Sequence, residues 1–142
     1  MNEKEKKEFI QGKLIELQLL EKHSIELQSQ MQQILNESQE LALLDESLSD
    51  LESVKNGKKM FSQLGSGVFL RAEVKDTKSI LMNVGANVVV EKSVSEAKDM
   101  IKNQLKDLEE ITDKMNDQFG KIAIQAELIQ QDLINTQSTE KK

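Results

Sequence analysis

The sequence predicts a mainly α protein of the α+β class, a long antiparallel coiled-coil hairpin with two tandem β-hairpins at its bend. Three observations predict it. Apolar residues recur in heptads over two long stretches, the stretch between them changes to two-residue alternation broken by glycines, and no proline interrupts either arm. In the second arm Val94, Ile101, Leu108, Met115, Ile122 and Ile129 form one apolar column. Beside it runs Lys98, Leu105, Thr112, Phe119, Ala126 and Leu133, so the two columns make a narrow seam suited to one other helix. The first arm carries Ile10, Leu17, Ser24, Met31, Ser38 and Asp45 beside Lys13, Leu20, Leu27, Ile34, Leu41 and Leu48, its polar entries diluting the first column.

Composition sets the limits on this reading. Of 142 residues only 37% are hydrophobic and 3% aromatic, thin material for a compact core, so burial must spread along a seam or be shared with other chains. A net charge of -6 argues against a nucleic-acid ligand, although it leaves room for local basic patches. With no cysteine the chain has no disulfide, thiolate metal site or thiol nucleophile, which fits a reducing cytosol. Residues 1–8 are charged and lack the apolar core of a signal peptide, and no apolar run reaches membrane-spanning length.

The first arm is expected over residues 9–54, about 65–70 Å at the rise of an α-helix. Near its end Leu41, Leu44, Leu48 and Leu51 shift phase, which widens the buried face and predicts contact with other packing. Gly57 is read as the end of this helix. Four strands follow, at 58–64, 68–74, 80–84 and 88–92. Gly65-Ser66-Gly67, Asp76-Thr77-Lys78 and Gly85-Ala86-Asn87 supply the turns. Val68, Leu70, Ala72 and Val74 share one face.

Isolated hairpins are marginal in water and their edges pair with any available strand, so completion by another chain is expected. The candidate assembly residues are Val68, Leu70, Ala72 and Val74 of the first hairpin, with Ile80, Met82, Val84, Val88, Val89 and Val90 of the second. Ser93 and Glu96 have the spacing of a capping box, in which the hydroxyl accepts a free helix N–H and the glutamate reaches back. The second arm then runs over 94–135, nearly matching the first in length. A polar, frayed tail is expected at 136–142, and residues 1–142 as a whole are read as one domain, with 57–92 as its assembly segment.

Gly65-Ser66-Gly67-Val68-Phe69, Lys75-Asp76-Thr77 and the run Val84-Gly85-Ala86-Asn87-Val88-Val89-Val90-Glu91-Lys92, set between two arms, resemble an archaeal-type prefoldin alpha subunit. The double hairpin is the most specific part, because a beta-type subunit carries one. Gln63 stands where the family often has proline. The resemblance implies a hexamer of two alpha and four beta subunits, joined through an intersubunit β-barrel. It further implies a cytoplasmic, nucleotide-independent chaperone that binds unfolded proteins at the arm tips and passes them to a group II chaperonin.

An antiparallel coiled coil held at its bend frays at the opposite end, which makes Phe9, Ile10 and Leu14, with Leu128, Ile129, Leu133 and Ile134, the candidate client contacts. Ordinary seam packing is the competing reading for each, and it is the preferred one for Met31, Met115 and Phe119. Gly12 either loosens the outer turn or is tolerated there, and Gly120 is a flexible point or a close-packing site. His23 with Glu26 is a poor metal pair, the carboxylates are spread over solvated faces, and Gly65-Ser66-Gly67 lacks the spacing of a nucleophile elbow or phosphate loop. No cofactor, metal, catalytic residue, nucleic acid or membrane is therefore expected. Two further readings stay open: a prefoldin-like protein that forms filaments, and a coiled-coil adaptor for one specific partner.

Overall fold

The computed structural model describes residues 2–138, in the order α1 (Glu3–Glu52), β1 (Lys59–Gly65), β2 (Val68–Glu73), β3 (Ile80–Asn83), β4 (Val89–Lys92) and α2 (Val94–Ser138). Two long helices meet in antiparallel contact with two β-hairpins between them, as the heptads predict. Every residue of the four heptad columns is half-buried or buried, including the polar entries Ser24, Ser38, Asp45 and Thr112. The Thr112 hydroxyl is satisfied by donating to the Leu108 carbonyl at 2.9 Å.

α1 begins at Glu3, ahead of the expected start at residue 9. The Asn2 side-chain oxygen accepts the Glu5 N–H at 2.8 Å, and the Glu5 carboxylate accepts the Asn2 N–H at 3.2 Å. This reciprocal box lets two charged turns of good helix formers extend the helix without apolar columns to drive them. The other end differs from expectation as well. The helix stops at Glu52, where the Ser53 and Val54 N–H groups donate to Asp50 and Leu51 carbonyls in three-residue steps. Gly57, at φ +83°, belongs instead to the base of the first hairpin, where its N–H donates to the Val74 carbonyl.

β1 and β2 pair antiparallel, with Lys59 opposite Glu73 and Phe61 opposite Arg71. Ser66 (φ +44°) and Gly67 (φ +79°) form a two-residue turn whose left-handed backbone matches the strand twist, and the register slips between Gln63 and Gly65. β3 and β4 pair from Ile80 opposite Lys92 to Asn83 opposite Val89. Their turn, closed by the Val88 N–H donating to the Gly85 carbonyl at 2.9 Å, holds Ala86 at φ +50° and Asn87 at φ +59°. Between the hairpins, the Asp76 carboxylate accepts the Lys78 N–H at 3.2 Å, a local side-chain turn.

At the start of α2 the Ser93 hydroxyl accepts the Glu96 N–H at 3.1 Å and donates to the Glu96 carboxylate at 3.1 Å. The glutamate thus closes on the hydroxyl and not on the backbone. α2 continues to Ser138, beyond the expected 135, so the first residues of the expected frayed tail are helical and 139–142 lie outside the described residues.

The chain divides into two compact units. The hairpin unit, Glu37–Asp107, holds a core of Leu48, Val94, Ala97 (0% exposed) and Ile101 (1% exposed), with Leu41, Leu51, Leu105, Ile80 and Met82 packed against it. Here the buried face of α2 widens beyond its two columns at Ala97, whose small side chain fits a close approach. Leu51 joins this core as the phase shift predicts, whereas Leu44 lies exposed. The second unit, Met1–Asn36 with Leu108–Lys142, has Leu27 and Ile129 as its buried residues among those described.

Ile101→Ala is expected to lower stability by about 2–4 kcal/mol, read from denaturant unfolding followed by helical circular dichroism. Ala86→Asn is expected to raise it by up to about 1 kcal/mol in the same assay, since asparagine tolerates the left-handed backbone that alanine resists.

Candidate functional site

In the helix-end unit the start of α1 lies against the end of α2. Lys13 Nζ sits 3.7 Å from the Asp132 carboxylate and 3.7 Å from that of Glu16, while lying 5.5 Å above the Phe9 ring. These are partly exposed charges, worth less than about 1 kcal/mol, but they fix which residues of the two helices are neighbours. Ile129 closes the seam at 7% exposure, and Phe9, Ile10 and Leu133 are half-buried. Leu14, Leu128 and Ile134 lie open, at 47%, 59% and 63% exposure.

A shallow groove of about 540 Å³ runs here, with Leu19, Leu20, Leu128 and Ile129 as its apolar lining and Lys13 and Asp132 at its rim. Ile15, Leu19, Ile25 and Ile124 are also exposed, although none belongs to the expected client set. The signal that finds them is simple: each is a large apolar residue outside the heptad columns, so the seam has no place for it. Gly12 and Gly120 have open space around the position of an added side chain, so neither is a close-packing site.

The hairpins form the second surface. β1 and β2 are exposed along nearly their whole length, and Met60, Phe61, Leu64, Val68, Phe69 and Leu70 all face solvent. In the second hairpin alternate residues divide between two roles. Ile80 and Met82 point to the core of their own chain, whereas Leu81 (74% exposed) and Val89 turn outward. Val84 and Val88 at the turn are exposed, and Ala72, Val74 and Val90 are half-buried. Of the expected assembly residues, Ile80 and Met82 are thus engaged within the chain. Leu81 and the aromatic pair Phe61 and Phe69 extend the open surface.

Each sheet has only two strands, so each hairpin retains two unpaired edges. His23 is exposed, and no cluster of three or more metal-ligating side chains occurs among the described residues. The arrangement offers binding surfaces: open strand edges with apolar faces, and apolar side chains beside paired helix ends.

Residues 20–138 match the sequence profile of the family described as "Prefoldin subunit". The chain belongs to the prefoldin family. As a prefoldin subunit it is a component of a non-enzymatic chaperone and assembles with other prefoldin subunits. Two β-hairpins between the helices give it the alpha-type topology. The cryo-EM structure of filamentous PFD from Methanocaldococcus jannaschii has a similar fold, with a TM-score of 0.55 at 20% identity over 91% of this chain and 98% of that one. Comparison with curated protein sequences gives no significant match. No helix among the described residues is long and apolar enough to cross a membrane.

Proposed function

We propose that this prefoldin subunit holds unfolded polypeptides without nucleotide, at the helix ends of its coiled coil. The observation that carries the reading is the exposure of Leu14, Leu128 and Ile134 beside the Lys13–Asp132 pair. Each such contact with a client contributes about 1–2 kcal/mol by buried area, too little alone. Several arms acting on one client raise this through effective concentration, so the activity depends on assembly. Half-buried Phe9, Ile10 and Leu133 add surface when the end frays, while Ile129 keeps the seam closed behind them.

The assembly we propose joins two copies of this alpha-type chain with four beta-type subunits through the hairpins. It works in the cytoplasm and delivers clients to a group II chaperonin. Val68, Leu70, Val84, Val88 and Val89 are its open contacts, with Ala72, Val74 and Val90 behind them. Ile80 and Met82 anchor the second hairpin on its own helices. A filament is the second reading, favoured by the likeness to filamentous PFD. Open, heterologous strand pairing generates such polymers.

Replacing Leu14, Leu128 and Ile134 with serine is expected to reduce suppression of client aggregation several-fold while leaving the mass of the complex unchanged. Undiminished suppression would reject this site. Native mass measurement of the chain alone and with a beta-type subunit separates the two assemblies. A closed complex is expected with the partner, and indefinite polymers from the chain alone would favour the filament.

A further inference from the structure

The base of the first hairpin concentrates positive charge in an otherwise acidic protein. Residues 53–79 carry Lys55, Lys58, Lys59, Arg71, Lys75 and Lys78 against only Glu73 and Asp76, whereas the whole chain has a net charge of -6. The six cations are all exposed, and none forms an ion pair among the described residues. The backbone gathers most of them. Lys59 lies opposite Glu73 and Phe61 opposite Arg71, Lys58 accepts the Val74 N–H through its carbonyl, and the Lys58 N–H donates to the Lys55 carbonyl.

The other end of the same hairpin, Gly65-Ser66-Gly67, has no charge at all. Between the two ends run two unpaired strand edges and the exposed Met60, Phe61, Phe69 and Leu70. We infer that the first hairpin adds a β-strand from a different polypeptide, one whose carboxylates lie against the base of the hairpin. This rests on the reading of the hairpins as the assembly surface and specifies what that surface selects.

Charge complementarity chooses the occupant. A second copy of the first hairpin, paired antiparallel, would set its uncharged turn against this base and bring no carboxylate to it. The second hairpin of a copy offers only Glu91, followed directly by Lys92. An acidic strand from another chain supplies main-chain hydrogen bonds along the edge and neutralises the cations at its end. The free edges and apolar faces favour a polypeptide over a nucleic acid, which cannot use a strand edge.

The test uses the full chain with two labelled peptides of alternating valine and threonine, one ending in three glutamates and its twin in three lysines. Fluorescence polarisation is expected to give at least about ten-fold tighter binding of the acidic peptide at low salt, a preference that collapses in about 1 M NaCl. In the exposed-site variant Lys58→Gln/Lys59→Gln/Arg71→Gln, with helical circular dichroism unchanged, the preference is expected to vanish. Equal affinity for the two peptides, binding of neither, or a preference that survives in the variant would overturn the inference. So would a labelled oligothymidylate that binds more tightly than the acidic peptide. Aggregation suppression is measured separately, so a failure of charge selection is distinguishable from a failure of the chaperone reading.

Discussion

The contact between the second hairpin and the helix pair holds the molecule together. Ile80 and Met82 rest on Leu48, Val94, Ala97 and Ile101, the one buried cluster in which strands and helices share a core among the described residues. A two-stranded sheet is marginal in water, and this one gains stability by placing alternate residues against helices that are already paired. Ala97 makes the fit possible, since a larger side chain there would hold the elements apart. The charged pair Lys98–Glu52, 3.7 Å apart, borders the cluster and contributes little beyond alignment.

That contact explains why the two hairpins differ. The second is half-covered by its own chain, so only its outward residues, Leu81 and Val89 above all, are left open. The first has no such support and exposes apolar residues on both faces, an arrangement that a solitary soluble chain would not sustain without risk of aggregation. A prefoldin subunit resolves this by assembly. The bulge at Leu64 and the tight Ser66–Gly67 turn give the hairpin a defined twist before any partner arrives, which limits what must be ordered on binding.

The helix pair shows a similar division between what is satisfied and what is left open. A seam of two columns per helix buries little, and large apolar side chains outside it have nowhere to go. Where they lie beside the paired helix ends they give a chaperone a weak, unselective surface. Polar seam entries such as Ser24 and Ser38 dilute the packing further, consistent with an arm that must open or adapt at its end.

The sequence by itself determined the helix faces, because a heptad period maps directly onto a seam and all twenty-four column residues lie on the buried side. It also determined the strands to within a residue or two, through alternation and turn chemistry at Gly65-Ser66-Gly67 and Gly85-Ala86-Asn87. Helix ends were less legible: the Asn2–Glu5 box extends α1 through turns that carry no apolar signal, and Gly57 serves a hairpin and not a helix cap. Only the tertiary structure decided which face of each hairpin meets the helices, that Ile129 is covered while Leu128 is open, and that Ile80 and Met82 belong to their own chain's core. Periodicity assigns residues to faces, but what a face packs against is set by contacts between segments far apart in sequence.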